Sequence, residues 1–199
     1  MDSRSTLTPP EWFRSATTPN TRAYHTSVTI QLDVSTGDPI WPNPETVEFP
    51  RLLGGSLAML GHPIPTVIAE KSVTILQRGT TSTRWRDYVD IRGFQLTQEF
   101  TAGDLRAAAT AVAKHRGFTL EPLADYVDGY GTAAGMQAKW DAWRRREGLQ
   151  DRTEADLDDQ LADIVAFLDP VYSGRVTDSA RWDPNAQAWT EYRSIGSCR

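Results

Sequence analysis

Between Pro63 and Arg92 the chain reads PIPTVIAEKSVTILQRGTTSTRWRDYVDIR, and this run constrains the fold more than any other. Ile68, Ala69, Val73 and Leu76 recur along one side at helical spacing, while Glu70, Lys71, Thr74, Gln77 and Arg78 share another. The pattern predicts an amphipathic helix capped by Thr66 and closed by Gly79 in a left-handed conformation. A second helix, RWRDYVDI, follows with Ser82 or Thr83 as its cap, and it sets Asp87 and Asp90 on one side. Lys71, Arg84 and Asp87 are thereby placed to meet across the helix pair.

Upstream of this pair the character changes twice. Residues 1–25 are rich in Ser, Thr, Pro and Arg without sustained periodicity and read as an irregular arm. In TSVTIQLDV, Val28, Ile30, Leu32 and Val34 alternate with Thr29, Gln31 and Asp33, the mark of a strand with one buried face. Gly37, Asp38 and Pro39 break it, and Pro42, Pro44 and Pro50 hold the next stretch extended or turning. TVEF, residues 46–49, reads as a second short strand.

Downstream the sequence is read as helical throughout. TAGD at 101–104 is a capping-box variant, and Leu105, Ala108, Ala109 and Val112 continue at helical spacing toward Gly117. Met136, Trp140 and Trp143 form an apolar stripe in a helix ending near Gly148. A third helix opens with TEAD at 153–156 and carries Leu157, Leu161, Ile164, Val165 and Leu168 on one face. Such stripes make a core rather than a cofactor box. The final segment, containing RWDPNAQAW, reads as a loop or tail that pins Trp182 and Trp189 onto the bundle. The expected domains are an arm at 1–25, an α+β unit at 26–100 and a helical unit with its tail at 101–199.

Composition removes several functional classes. A net charge of −5 argues against a protein that coats nucleic acid through bulk electrostatics. Lys71, Arg78, Arg84, Arg86 and Arg92 nevertheless form a locally basic stretch, either a solvated helix face or a phosphate site. No apolar run approaches the roughly 20 residues of a membrane span, and the start lacks the pattern of a secretory signal. With Cys198 as the sole cysteine, a cytoplasmic protein without disulfides is expected.

The chemistry-bearing residues fall in a suggestive order. Asp33 at a strand end is either an exposed cap or a catalytic acid, and it precedes the Lys71 helix and the Arg84–Asp90 segment. Transfer of a nucleotidyl group needs carboxylates that hold divalent metal and cations that hold phosphates. His25, His62 and His115 lack the paired spacing of a metal site. Cys198 has no evident activating neighbour but Arg199. Arg144, Arg145 and Arg146 read as a solvated helix end that is also able to touch RNA phosphates.

IQLDVSTGDPI, the block from His62 to Ile91, FTAGDLRAAATAVAKHRGFTLEPL and FLDP together resemble the AbiEii/MenT-type nucleotidyltransferase toxins over residues 24–190. The central block carries the resemblance: a His-Pro entry, an Ala-Glu-Lys helix, an Arg-Gly turn, then Arg-x-Arg-Asp-x-x-Asp. The resemblance implies an α+β fold. Its first part is a partial polymerase-β-like core, a short antiparallel or mixed sheet with helices, and a helical C-terminal bundle follows. It also implies a toxin of a toxin-antitoxin or abortive-infection system that transfers nucleotides from a nucleoside triphosphate to RNA, the 3′ end of transfer RNA. Mg2+ or Mn2+ would be the cofactor and a cognate antitoxin a partner. On this reading Asp33 is a metal ligand and Lys71 contacts the triphosphate. Asp87 completes the catalytic set, and Arg84, Asp90 and Thr36 belong to the nucleotide site.

The first motif of that family, a Gly-Ser turn followed by Asp-x-Asp, has no counterpart here. Asp2 and Glu11 are the only acids before Asp33, and Gly37 is the first glycine. The expectation is an N-terminally truncated member with too few metal carboxylates for efficient transfer. Two alternatives stand beside the active enzyme. One is a decayed nucleotidyltransferase fold that binds RNA or an antitoxin, and the other is an unrelated helical interaction protein.

Overall fold

The amphipathic run that dominates the sequence forms the helix α1, Ile64–Arg78, and α2 follows at Trp85–Thr97 after a single 3-10 turn at Gly79–Thr81. The computed structural model describes residue 37, residues 39–81 and residues 83–191. The strand expected over TSVTIQLDV lies outside these residues. Ile68, Ala69, Val73 and Leu76 are all buried as the spacing requires, and Ile75 joins them.

Both expected caps of this pair differ in the structure. Pro63 takes the N-cap position of α1 without a side-chain hydrogen bond, and Pro65 sits in the first turn, where a missing amide proton costs nothing. Thr66 is instead buried within the helix. Its hydroxyl donates to the Trp41 carbonyl at 2.7 Å and accepts from the Trp41 amide at 2.9 Å, which ties the preceding loop to α1. Gly79 ends the helix with φ 49° and ψ −143°, a positive φ outside the left-handed helical basin. Arg84 rather than Thr83 stands at the N-cap of α2, again without a side-chain bond. Ser82 lies outside the described residues.

Ahead of α1 stands an antiparallel hairpin of β1, Glu45–Pro50, and β2, Ser56–Gly61, in the register Glu45 to Gly61. TVEF is thus a strand, as expected. Its partner SLAMLG went unread because it lacks alternation, although Gly54 and Gly55, with φ of 88° and 76°, mark the turn. Phe49, Leu52, Leu53, Leu57, Met59 and Leu60 are exposed on this hairpin.

Between residues 102 and 172 the regular elements are all helices, α3 at Ala102–His115, α4 at Ala124–Val127, α5 at Met136–Glu147 and α6 at Leu157–Tyr172, joined by loops and one 3-10 turn at Gln150–Arg152. Thr101 caps α3, its hydroxyl accepting from the Asp104 amide at 3.2 Å, as the TAGD pattern implies. Asp156 caps α6 through the amides of Asp158 and Asp159. Small side chains on both helices join α1 to α3: Ala69 and Val73 face Ala108, Ala109, Val112 and Ala113.

The C-terminal segment is ordered as a hairpin rather than a loop. β3, Phe100–Thr101, β4, Arg181–Asp183, and β5, Ala188–Thr190, form a small antiparallel sheet in that order. Its two tryptophans do close the core. Phe167 of α6 meets Trp182 at 4.7 Å and stacks on Trp189 at 5.8 Å between ring centroids. Buried indole N–H groups need acceptors, and Trp182 finds the Gln95 carbonyl at 2.7 Å while Trp189 finds that of Phe167 at 2.8 Å. The architecture is α+β with a helical second half, as expected. Among the described residues no helix is long and apolar enough to cross a membrane.

Candidate functional site

The pairing of α1 with α2 brings four of the residues singled out from sequence into one network. Lys71 Nζ donates to Asp87 Oδ1 and sits 2.9 Å from both that oxygen and Asp90 Oδ2. Arg84 Nε donates to the other Asp87 oxygen, also at 2.9 Å. Asp87 is 4% exposed, so both its oxygens are committed to cations in a nearly dry setting. Helical geometry explains the convergence: Asp87 and Asp90 are one turn apart and reach the same ammonium.

Lys71 is held protonated by this arrangement. Burial alone would lower its pKa, but the hydrogen bonds to Asp90 and Asp87, with their charges, outweigh that and raise it above its ordinary 10.5. An ammonium has three donors. Two point at carboxylates, which leaves one for an incoming oxygen.

Lys71, Arg84 and Asp87 line one wall of a cleft of about 270 Å³, whose other walls include Glu70, Thr74 and Arg116. Sequence reading placed Glu70 and Thr74 on the polar stripe but missed Arg116, which arrives from the end of α3. A second cleft of about 260 Å³, near Pro42, Phe100 and Arg181, gathers no comparable set of cations.

Arg86 and Arg92 of the same basic stretch are engaged elsewhere. Arg92 pairs with Glu154 and with Asp163, and Arg86 pairs with Glu147. Arg145 and Arg146 are exposed at the end of α5, as expected of a solvated helix end, but Arg144 departs from that reading. It is 8% exposed, and its Nε donates to Thr153 Oγ1 at 2.7 Å while its terminal nitrogens reach the carbonyls of Gln150, Thr153 and Ala155. In the FLDP segment, Asp169 accepts the Leu123 amide at 2.6 Å and the Ala124 amide at 3.2 Å. Burial raises its pKa, and those amides oppose the rise.

Asp33, Thr36 and Asp38 lie outside the described residues, as does Cys198. Among the described residues no group of three or more His, Cys, Asp or Glu side chains is placed to hold a metal. The acids of the network do not fit a divalent ion either, because Asp87 and Asp90 already face ammonium and guanidinium groups.

No curated protein and no solved structure matches the chain significantly. The family model described as nucleotidyl transferase AbiEii toxin, type IV toxin-antitoxin system, matches residues 10–188, most of the sequence. With a matched span that takes in the whole Lys71 network, the chain belongs to the AbiEii nucleotidyl transferase toxin family.

Proposed function

We propose that the Lys71 cleft holds the phosphates of a nucleoside triphosphate, in a toxin whose nucleotide acceptor is RNA, the 3′ end of transfer RNA in the cytoplasm. The observation that carries this reading is the fixing of Lys71 between Asp87 and Asp90 beside Arg84. Membership of a type IV toxin-antitoxin family implies a nucleotide substrate and an antitoxin partner.

A free lysine loses several rotatable bonds when it binds a ligand. Here the carboxylates have already fixed the ammonium, so its remaining donor is aimed before the phosphate arrives. Asp87 and Asp90 are then positioning residues that keep Lys71 extended and charged. Arg84 offers a planar, permanently charged group to a second phosphate oxygen. Thr36 would add a hydroxyl donor.

Mg2+ or Mn2+ would neutralise the triphosphate and polarise the reacting phosphorus. Asp33 is the acid proposed to hold it. The sequence contains no Asp-x-Asp pair before Asp33, and Asp87 and Asp90 are occupied by cations. By itself the chain is therefore proposed to bind triphosphate and RNA in a salt-sensitive way while transferring little or no nucleotide.

The test incubates the chain with labelled nucleoside triphosphate, magnesium or manganese, and bulk transfer RNA, alongside Lys71→Ala. The expected outcome is triphosphate retained by the parent chain, lost by the variant, with scarcely any label on RNA. Robust labelling that Lys71→Ala abolishes would show that other acids complete the metal site.

A further inference from the structure

We propose that Arg116 is a third phosphate ligand of the Lys71 cleft and engages the terminal phosphates of a nucleoside triphosphate. The proposal rests on the triphosphate reading of that cleft and extends it to a residue carried by a different helix.

Arg116 directly follows α3, and the small-residue contact between α3 and α1 delivers it to the polar stripe of α1. Its Nη1 donates to Thr74 Oγ1 at 2.8 Å and lies 3.4 Å from Gln77 Oε1 and 3.5 Å from the Glu70 carbonyl. The Thr74 hydroxyl is itself oriented, because it donates to the Glu70 carbonyl at 2.7 Å. The guanidinium is thus held in place by neutral oxygens.

That distinguishes it from its neighbours. Lys71 is shared by two carboxylates and Arg84 is paired with one of them. Among the described residues Arg116 has no carboxylate partner within ion-pair distance, and it is exposed at the cleft. Its positive charge is the least offset of the three. Glu70 also lines the cleft and opposes a bare anion, so two half-neutralised cations give little net attraction.

A triphosphate concentrates more negative charge than Lys71 and Arg84 can offset while they serve Asp87 and Asp90. Arg116 supplies the missing charge, and its planar fork suits the paired oxygens of a terminal phosphate. The singly charged, separated phosphates of an RNA strand make less use of three cations gathered in one small cleft.

The experiment measures displacement of a fluorescent nucleoside triphosphate, with magnesium, by inorganic tripolyphosphate and by orthophosphate. It uses the full chain and its Arg116→Ala, Arg116→Lys and Lys71→Ala variants, with ligand-free melting as the folding control. Arg116→Ala should weaken triphosphate binding about tenfold, the scale of one charge-assisted contact, and shrink the advantage of tripolyphosphate over orthophosphate. Arg116→Lys should recover part of both while melting close to the parent. Parent-like affinity in Arg116→Ala, with binding lost in Lys71→Ala, would overturn the proposal and leave Arg116 as a strap between α3 and α1. An affinity loss that follows the melting temperature and is not recovered by lysine would overturn it equally. So would an Arg116→Ala chain that keeps triphosphate but releases an RNA oligonucleotide. If Lys71→Ala and Arg116→Ala both bind like the parent, the triphosphate reading of the cleft itself fails.

Discussion

Replacing Asp87 with Asn probes the network at its centre. The amide nearly preserves shape, and its oxygen still accepts from Lys71, but its nitrogen must then face the Arg84 Nε–H that now donates to a carboxylate at 2.9 Å. Breaking a fully buried ion pair costs about 3–5 kcal/mol. Two features reduce that figure here: Lys71 keeps Asp90, and the Arg84 side chain is 57% exposed, so water replaces much of what is lost. A cost of about 2 kcal/mol remains, from one charge-assisted bond removed and one weakened. For a chain of this size that lowers the melting temperature by about 4–8 °C. Thermal unfolding followed by circular dichroism reads it, and a double-mutant cycle with Lys71→Met isolates the coupling, expected at about 1 kcal/mol or more. A variant melting within about 1 °C of the parent, with no coupling to Lys71, would refute the view that the carboxylate holds the ammonium.

The raised pKa of Lys71 sets a pH dependence. Because the folded value lies above the unfolded one, the stabilisation is complete below about pH 10.5 and is lost as pH rises through the folded value. Urea unfolding at pH 8 to 12 should show the gap between the parent and Lys71→Met closing at the alkaline end. A constant gap would contradict the ion pairs. Phe167→Ala should cost about 3–5 kcal/mol in denaturant unfolding, since a fully buried ring meeting Phe100, Trp182 and Trp189 is removed. A loss under about 1 kcal/mol would mean that the C-terminal hairpin does not close the core. Asp169→Ala should cost about 2 kcal/mol by orphaning the Leu123 and Ala124 amides, and hydrogen exchange should quicken at those two positions.

Helices were legible where a stripe and a cap agreed. α3, with Thr101 and Asp104, and α6, with its apolar face behind Asp156, carried both signals and formed as read, whereas α1 formed on its apolar stripe alone. The α1 cap was misread because Thr66 follows two prolines that start the helix themselves, freeing its hydroxyl for Trp41. Short strands were the hardest elements. β2 lacks alternation, and β4 and β5 are defined by pairing with each other and with β3, a contact that local sequence does not encode.

The same division holds for the candidate site. Lys71, Arg84, Asp87 and Asp90 are brought together by two adjacent helices and a short turn, so their meeting followed from local spacing. Arg116 depends on how α3 packs against α1. Its alanine-rich face names no partner, which is why spacing alone could not place that side chain beside Thr74.

Lysine footprinting tests the central claim most directly, because Lys71 has only Lys114 and Lys139 as companions in the chain. Because the two carboxylates hold Lys71 protonated, the folded protein is acylated with a small reagent at alkaline pH, for long enough that Lys71 is measurably modified without ligand. The reaction is then run with and without a nucleoside triphosphate and magnesium, and each lysine is quantified by mass spectrometry. Triphosphate is expected to protect Lys71 while the reactivities of Lys114 and Lys139 stay unchanged. Equal labelling of Lys71 in both samples, or protection confined to Lys114 or Lys139, would contradict phosphate binding at this cleft.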